Sequence, residues 1–122
     1  MIQGIKLDYI SDYTIKEDKK NPTIWKIGVM DSTTLLAMTD DSKGANFLVF
    51  LSKVVRIALK GWNNFKIDEK EVEYKTVKEI LYGKERDVLD INILDCIPTN
   101  IIIELGTEIL AQNKETEPER KN

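Results

Sequence analysis

The side chains in this chain that could do chemistry are carboxylates. Asp40 and Asp41 stand side by side, and Asp87, Asp90 and Asp95 lie close together further on. Such groups could serve acid–base hydrolysis or hold a hard divalent cation. Asp87 and Asp90, three apart, would share one turn of a helix. Capping and solvation account for these residues more economically, because aspartate is favoured just before a first helical turn. No segment has the alternating ligands, central glycine and closing glutamate of a calcium loop. The chain has no histidine, which removes the usual base near neutral pH. Its single cysteine, Cys96, can build neither a thiolate-rich zinc site nor an internal disulfide. Flanked by Leu94 and Ile97, it reads as a buried, inert thiol. A serine or threonine nucleophile would have only lysine or carboxylate as its base. Gly-x-Ser-x-Gly, P-loop and Gly-x-Gly-x-x-Gly patterns are all missing. The expectation is a protein that is not an enzyme, with no catalytic residue, cofactor or metal.

Recognition by contact is the other way to act. Trp25 and Trp62 are the candidate contact residues, because a large ring with one polar atom is favoured at interfaces; core packing is the alternative for each. Lys53, Arg56 and Lys60 form a basic stripe that reads more simply as the solvated edge of a helix than as a binding surface.

The elements that must position these residues centre on Asn46–Lys60, which runs into Gly61 and Trp62. At 3.6 residues per turn Phe47, Phe50, Leu51, Val54, Val55, Ala58 and Leu59 share one broad face, which Val49 and Ile57 widen. This predicts a central helix enclosed by the rest of the chain. Asp40–Gly44 is a break before it, with carboxylates near its positive end and Arg56 and Lys60 toward its negative end.

Upstream, alternation predicts a strand over Ile2–Tyr9, a loop over Ser11–Asn21 and a strand over Thr23–Met30 with Trp25, Ile27 and Val29 on one face. Asp31 and Ser32 are turn or capping residues, and Thr33–Thr39 fits a strand or a short helix equally. Downstream, Phe65–Lys75 reads as a hairpin around Asp68-Glu69-Lys70. Thr76 and Glu79 have capping-box spacing, which predicts a short helix through Tyr82 ending at Gly83. Asp87 is placed to cap another helix with Val88, Ile91 and Leu94 on one face. Pro98 ends it and starts a further helix with Ile101, Ile102, Leu105 and Ile109 inward. Gly106 would cost this helix about 1 kcal/mol, so close approach of another element is its justification.

The 122 residues fit one core, and 42% apolar with 32% charged residues is the composition of a folded chain. The sum is a small single-domain α+β fold over 1–112: a central buried helix, a few short antiparallel strands and a C-terminal helical pair. Residues 113–122 read as a disordered charged tail. A net charge of −3 with both signs mixed along the chain offers nothing to a phosphate backbone, so nucleic acid is not an expected partner. No apolar run approaches the ~18 residues of a membrane span, and Met1–Lys6 lacks a signal-peptide pattern, so no membrane partner is expected and a reducing cytoplasm is.

Val55-Arg56-Ile57-Ala58-Leu59-Lys60-Gly61-Trp62-Asn63-Asn64-Phe65 resembles a segment of small tailed-bacteriophage morphogenesis proteins, in which an apolar helix ends in Leu-Lys-Gly-Trp-x-Asn-Phe. Asn21–Val29 is similar to their upstream extended segment, and Ile97–Leu105 to their downstream proline-started helix. The tail ending Glu119-Arg120-Lys121-Asn122 resembles their polar C-termini. The chain departs at Asp68-Glu69-Lys70, where such proteins tend to carry a glycine, and Lys70 implies another turn type or a longer connection. The resemblance implies a non-enzymatic part in building the virion, as a tail assembly protein or chaperone that contacts other phage morphogenesis proteins or itself. It would form a homo-oligomer and reside in host cytoplasm or virion. A small head or tail structural component and a soluble modulator of one host or viral protein are the alternatives.

Overall fold

Asn46 starts the main helix. Its backbone is extended and its side-chain Oδ1 accepts the Val49 N–H at 2.9 Å, which satisfies one of the free donors of the first turn of α2 (Phe47–Ala58). The computed structural model describes residues 1–41, 44 and 46–113. Leu51, Val54, Val55, Ile57 and Ala58 of α2 are buried, so this helix is the centre of the core. The helix stops two residues before Lys60. Leu59 still donates its N–H to Val55 O but is itself extended, and the chain passes directly into β3 (Leu59–Asn63). Cross-strand pairing of Trp62 with Trp25 outweighs one more helical turn there.

The predicted strand around Trp25 is β2 (Ile24–Ile27), with Trp25 and Ile27 inward. It lies between β3 and β1 (Ser11–Tyr13) in an antiparallel sheet of order β1-β2-β3. Thus β1 falls inside the stretch expected to be loop, and the strand expected over Ile2–Tyr9 does not form. Those residues pair with no strand, Ile2, Leu7 and Tyr9 are exposed, and only a turn from Tyr9 N to Lys6 O breaks the run. Alternation gives a segment two faces but cannot supply the neighbouring edge that a strand needs.

Between β2 and α2, Thr33–Thr39 resolves as helix within α1 (Ser32–Asp41). Asp31 caps it, accepting the Thr34 N–H at 3.0 Å and the Thr33 and Thr34 hydroxyls at 2.8 Å each.

Beyond β3 the expected hairpin is present as β4 (Lys66–Ile67) and β5 (Lys70–Glu71). Asp68 and Glu69 take φ of 49° and 67°, so the turn is a two-residue one made without glycine. The helix expected from Thr76 is instead a second hairpin, β6 (Thr76–Leu81) and β7 (Lys84–Leu89), closed by Tyr82 and Gly83 at φ 53° and 79°. Gly83 supplies the left-handed geometry such a turn requires, and Glu79 reaches Arg56 rather than capping a helix. Asp87 consequently lies in a strand opposite Lys78, and Asp90 caps α3 (Ile91–Leu94), its carboxylate accepting Asn92 N at 2.9 Å. Cys96, expected inside, is exposed. Leu94 and Ile97 take the inward positions of this short turn and leave Cys96 facing out.

Pro98 precedes α4 (Thr99–Ala111), whose Ile102, Leu105 and Ile109 are buried as the spacing predicts. The C-terminal ends of α2 and α4 meet at one end of the sheet. Gly28 N–H donates to Ala58 O at 2.7 Å, Gln112 Nε2 donates to Ser11 Oγ at 2.9 Å, and Asn113 Oδ1 accepts Met30 N–H at 3.1 Å. Asn113 is therefore anchored, and the rest of the expected tail, 114–122, lies outside the described residues. No helix among the described residues is long and apolar enough to cross a membrane. The result is a small single-domain α+β fold.

Gly106 has the close neighbour that its place in a helix demands. A Cβ there would meet Leu51 Cδ2 at 2.9 Å, Leu51 Cβ at 3.0 Å and Leu51 O at 3.2 Å. Alanine would gain about 1 kcal/mol of helix propensity but overpacks a backbone contact, a defect that costs about 1–3 kcal/mol. Gly106→Ala is expected to lower the free energy of urea unfolding by about 1 kcal/mol net; unchanged or raised stability would show that the two helices can separate freely.

Candidate interaction surface

Neither tryptophan proposed for contact is at the surface. Trp25 is 3% exposed and Trp62 8%, and they face each other across β2 and β3 in an edge-on pair with centroids 5.8 Å apart. Phe65 lies 5.0 Å from Trp25 and 5.2 Å from Trp62, and Tyr74 lies 5.2 Å from Trp62. Edge-to-face geometry of this kind adds about 0.5–1.5 kcal/mol per pair beyond burial. Trp62 donates Nε1–H to Val72 O at 2.7 Å, whereas Trp25 Nε1 is buried with no partner among the described residues. Tyr74 donates its hydroxyl to Leu59 O at 2.6 Å, and burial, with Asp87 nearby, pushes its pKa up to about 12. The four rings are a structural cluster that fastens the β4–β5 region to β3.

The carboxylates are not gathered either. Asp87 pairs with Lys78 at 3.1 Å, Asp90 is a helix cap, Asp95 follows α3, and Asp41 pairs with Lys53 at 3.3 Å. Among the described residues no three His, Cys, Asp or Glu side chains lie close enough to hold a metal ion.

The basic stripe on α2 is spent within the fold. Arg56 grips both carboxylate oxygens of Glu79 on β6 and donates Nε–H to Leu89 O at 2.7 Å. Lys60 donates to Ile57 O at 3.1 Å, and burial, then the neighbouring Arg86, hold its ammonium below the usual lysine range. A second arginine, which the sequence did not single out, ties the same hairpin to α1. Arg86 on β7 donates to Thr34 Oγ1 and to Leu81 O and stands 3.7 Å from Asp31. Burial alone would raise the Asp31 pKa, but hydrogen bonds from Thr34 and Thr33, with Lys84 nearby, overcome it and hold the carboxyl well below the ordinary range. Between the hairpin and α2 runs an open groove of about 320 Å³, lined by Lys53, Ile57, Leu81 and Tyr82 among others. The Tyr82 hydroxyl reaches Asp41 at 3.4 Å across it.

The surface also presents an apolar group at the start of α2. Phe47 and Val49, expected inside, are 62% and 42% exposed, Leu48 between them is 38% exposed, and Phe47 stacks on Phe50 at 6.1 Å. The enclosed part of α2 begins at Leu51, where α4 crosses it, so the first turn stands outside the packed interior. Periodicity could not have located that crossing, because Phe47 and Val49 continue the same apolar face. Comparison with protein-family models, with characterised proteins and with solved structures finds no match to this chain.

Because Trp25 gains nothing from its indole N–H, losing that group should cost little there. Trp62→Phe is expected to reduce stability by about 1 kcal/mol more than Trp25→Phe, the worth of one buried hydrogen bond. Denaturant melts of the two variants measure the difference, and equal losses would contradict the assigned bonding. Asp31 predicts a pH dependence. Its folded pKa is depressed, so its contribution is complete above the unfolded value of about 4 and drains away as pH falls below it. Unfolding free energies between neutral and strongly acid pH should fall more steeply for the wild type than for Asp31→Asn, and parallel curves would refute the network.

Proposed function

We propose that this chain is a non-enzymatic morphogenesis protein of tailed bacteriophage, present in host cytoplasm or virion, which works in tail assembly by docking other assembly proteins. The class comes from the likeness at Val55–Phe65, Asn21–Val29 and Ile97–Leu105. The observation that carries the mode of action is the first turn of α2. Phe47, Leu48 and Val49 form an uncharged, solvent-facing cluster at a helix start, where a monomer gains nothing by keeping them apolar. Burying a fully exposed side chain of this kind is worth about 1.5–3 kcal/mol, so covering the part of these three still open is worth roughly half of that each. The matching partner surface is an apolar patch on another morphogenesis protein. Contact of this kind needs shape and apolar area and no reactive group.

Phe47→Glu tests this reading cleanly, because a carboxylate in a first turn suits the helix dipole and leaves folding intact. Co-expressed with the products of adjacent structural genes, the tagged wild type should retain at least one tail component. Phe47→Glu should retain at least tenfold less, the equivalent of about 1.4 kcal/mol, at an unchanged melting temperature. Retention of no tail component by the wild type, or equal retention by the variant, would overturn the proposal.

A further inference from the structure

The β6–β7 hairpin has one side occupied and one side open. In a two-residue hairpin the residues flanking the turn exchange both hydrogen bonds, so Leu81, Glu79 and Val77 bond across to Lys84, Arg86 and Val88. The Lys75 carbonyl continues that phase by accepting Asp90 N–H at 3.0 Å. The N–H and C=O groups of Thr76, Lys78 and Ile80 therefore point away from β7, and none of them meets a partner among the described residues. Ile80 on this edge is 77% exposed. Other edges are short or blunted: on the equally long outer edge of β7, Arg56 takes the Leu89 carbonyl and the outward residues Glu85 and Asp87 are charged. β1 has three residues, and Glu104 of α4 accepts the Tyr13 hydroxyl and the Lys16 N–H beside it. Alongside β3, Tyr74 donates to Leu59 O and Val72 accepts from Trp62. A six-residue open edge with a single lysine and no proline is the kind that takes up another strand.

The same chain carries a strand-patterned segment without an edge; among the described residues it is held in the single chain only by the turn from Tyr9 N–H to Lys6 O, which pairing would open. Ile5, Leu7 and Tyr9 alternate with Lys6 and Asp8, yet the segment pairs with nothing, and Leu7, Tyr9 and Ile10 are exposed. We infer that β6 of one copy accepts residues 5–10 of a second copy as an added strand. In phase, Ile5, Leu7 and Tyr9 fall beside Val77 and Leu81, while Ile10 shares the opposite face with Ile80 and Asp8 comes within reach of Lys78. The donor is a second copy because each chain leaves its own segment unpaired, leading into β1 of a different sheet, while its own β6 stands open. Exchange in both directions joins two copies, and exchange in one direction builds a longer assembly. The inference rests on this edge and this segment alone and is independent of the phage reading.

Lys78→Pro is the decisive substitution. Proline removes an N–H that points outward and spares every backbone bond of the hairpin, a strand setting that tolerates it, at the loss of only the exposed Lys78–Asp87 ion pair. Leu7→Asp disables the donor at a side chain that is 64% exposed and outside the core, so the domain stays folded. Sedimentation of the full chain over a roughly hundredfold concentration range should show the wild type moving from one-chain mass to two or more. Each variant should stay at one-chain mass with an unchanged melting temperature. An equimolar mixture of the two should regain association, since each supplies the half the other lacks. Wild type at one-chain mass throughout, or association that survives Lys78→Pro, overturns the inference. A monomeric wild type that still captures tail components would sink strand exchange alone, and an exchanging wild type that captures none would sink the tail reading alone.

Discussion

The fold depends on one close contact, Leu51 of α2 lying against the backbone of Gly106 in α4. Helices cross at about 8 Å only where the residue at the contact is small, and no other residue in α4 could be placed there without a Cβ striking Leu51. Held at that crossing, the two helices turn Val54, Val55 and Ala58 on one side, and Leu105 and Ile109 on the other, into one interior. Their C-terminal ends are then pinned to the sheet through Ala58, Gln112 and Asn113. The same crossing sets where α2 leaves the core, and hence which apolar residues reach solvent.

Polar interactions fasten the second half of the chain to this frame. The β6–β7 hairpin has no sheet to join, and two arginines hold it against the helices: Arg56 through Glu79 and the Leu89 carbonyl, Arg86 through Thr34, Asp31 and its own turn. Planar guanidinium groups suit such sites because several donors in fixed directions can be satisfied at once. These pairs are partly buried, where desolvation offsets much of the attraction, so their main effect is to select one position for the hairpin. A consequence is electrostatic. The two cations of α2 are both paired, Arg56 with Glu79 and Lys53 at the surface with Asp41, so the helix offers no free basic stripe to a partner.

The chain was legible wherever local pattern and tertiary setting agreed. The core of α2, the β2 strand with Trp25 and Ile27 inward, the α4 face and the reason for Gly106 followed from spacing and residue type. Thr76–Gly83 misled because a hydroxyl three residues before a glutamate marks a helix only if the glutamate is free to fold back, and here Arg56 takes it. Cys96 misled because the short α3 and the turn after it bury Leu94 and Ile97 and leave Cys96 facing out. The candidate contact residues misled for a simpler reason. Trp25 and Trp62 suit a core by type even better than an interface, and their cross-strand register decides for the core.

By itself the sequence determined the class of fold, the position of its central helix, the glycine that a second helix must approach and the scarcity of groups able to react. These follow from periodicity, steric demand and residue chemistry, all of which are local. Only the tertiary structure decided which apolar residues are enclosed, which charges are spent on one another and which strand edge is left open. Those outcomes depend on contacts between residues dozens of positions apart, such as Arg56 with Glu79 and Leu51 with Gly106, and no window along the chain contains both partners.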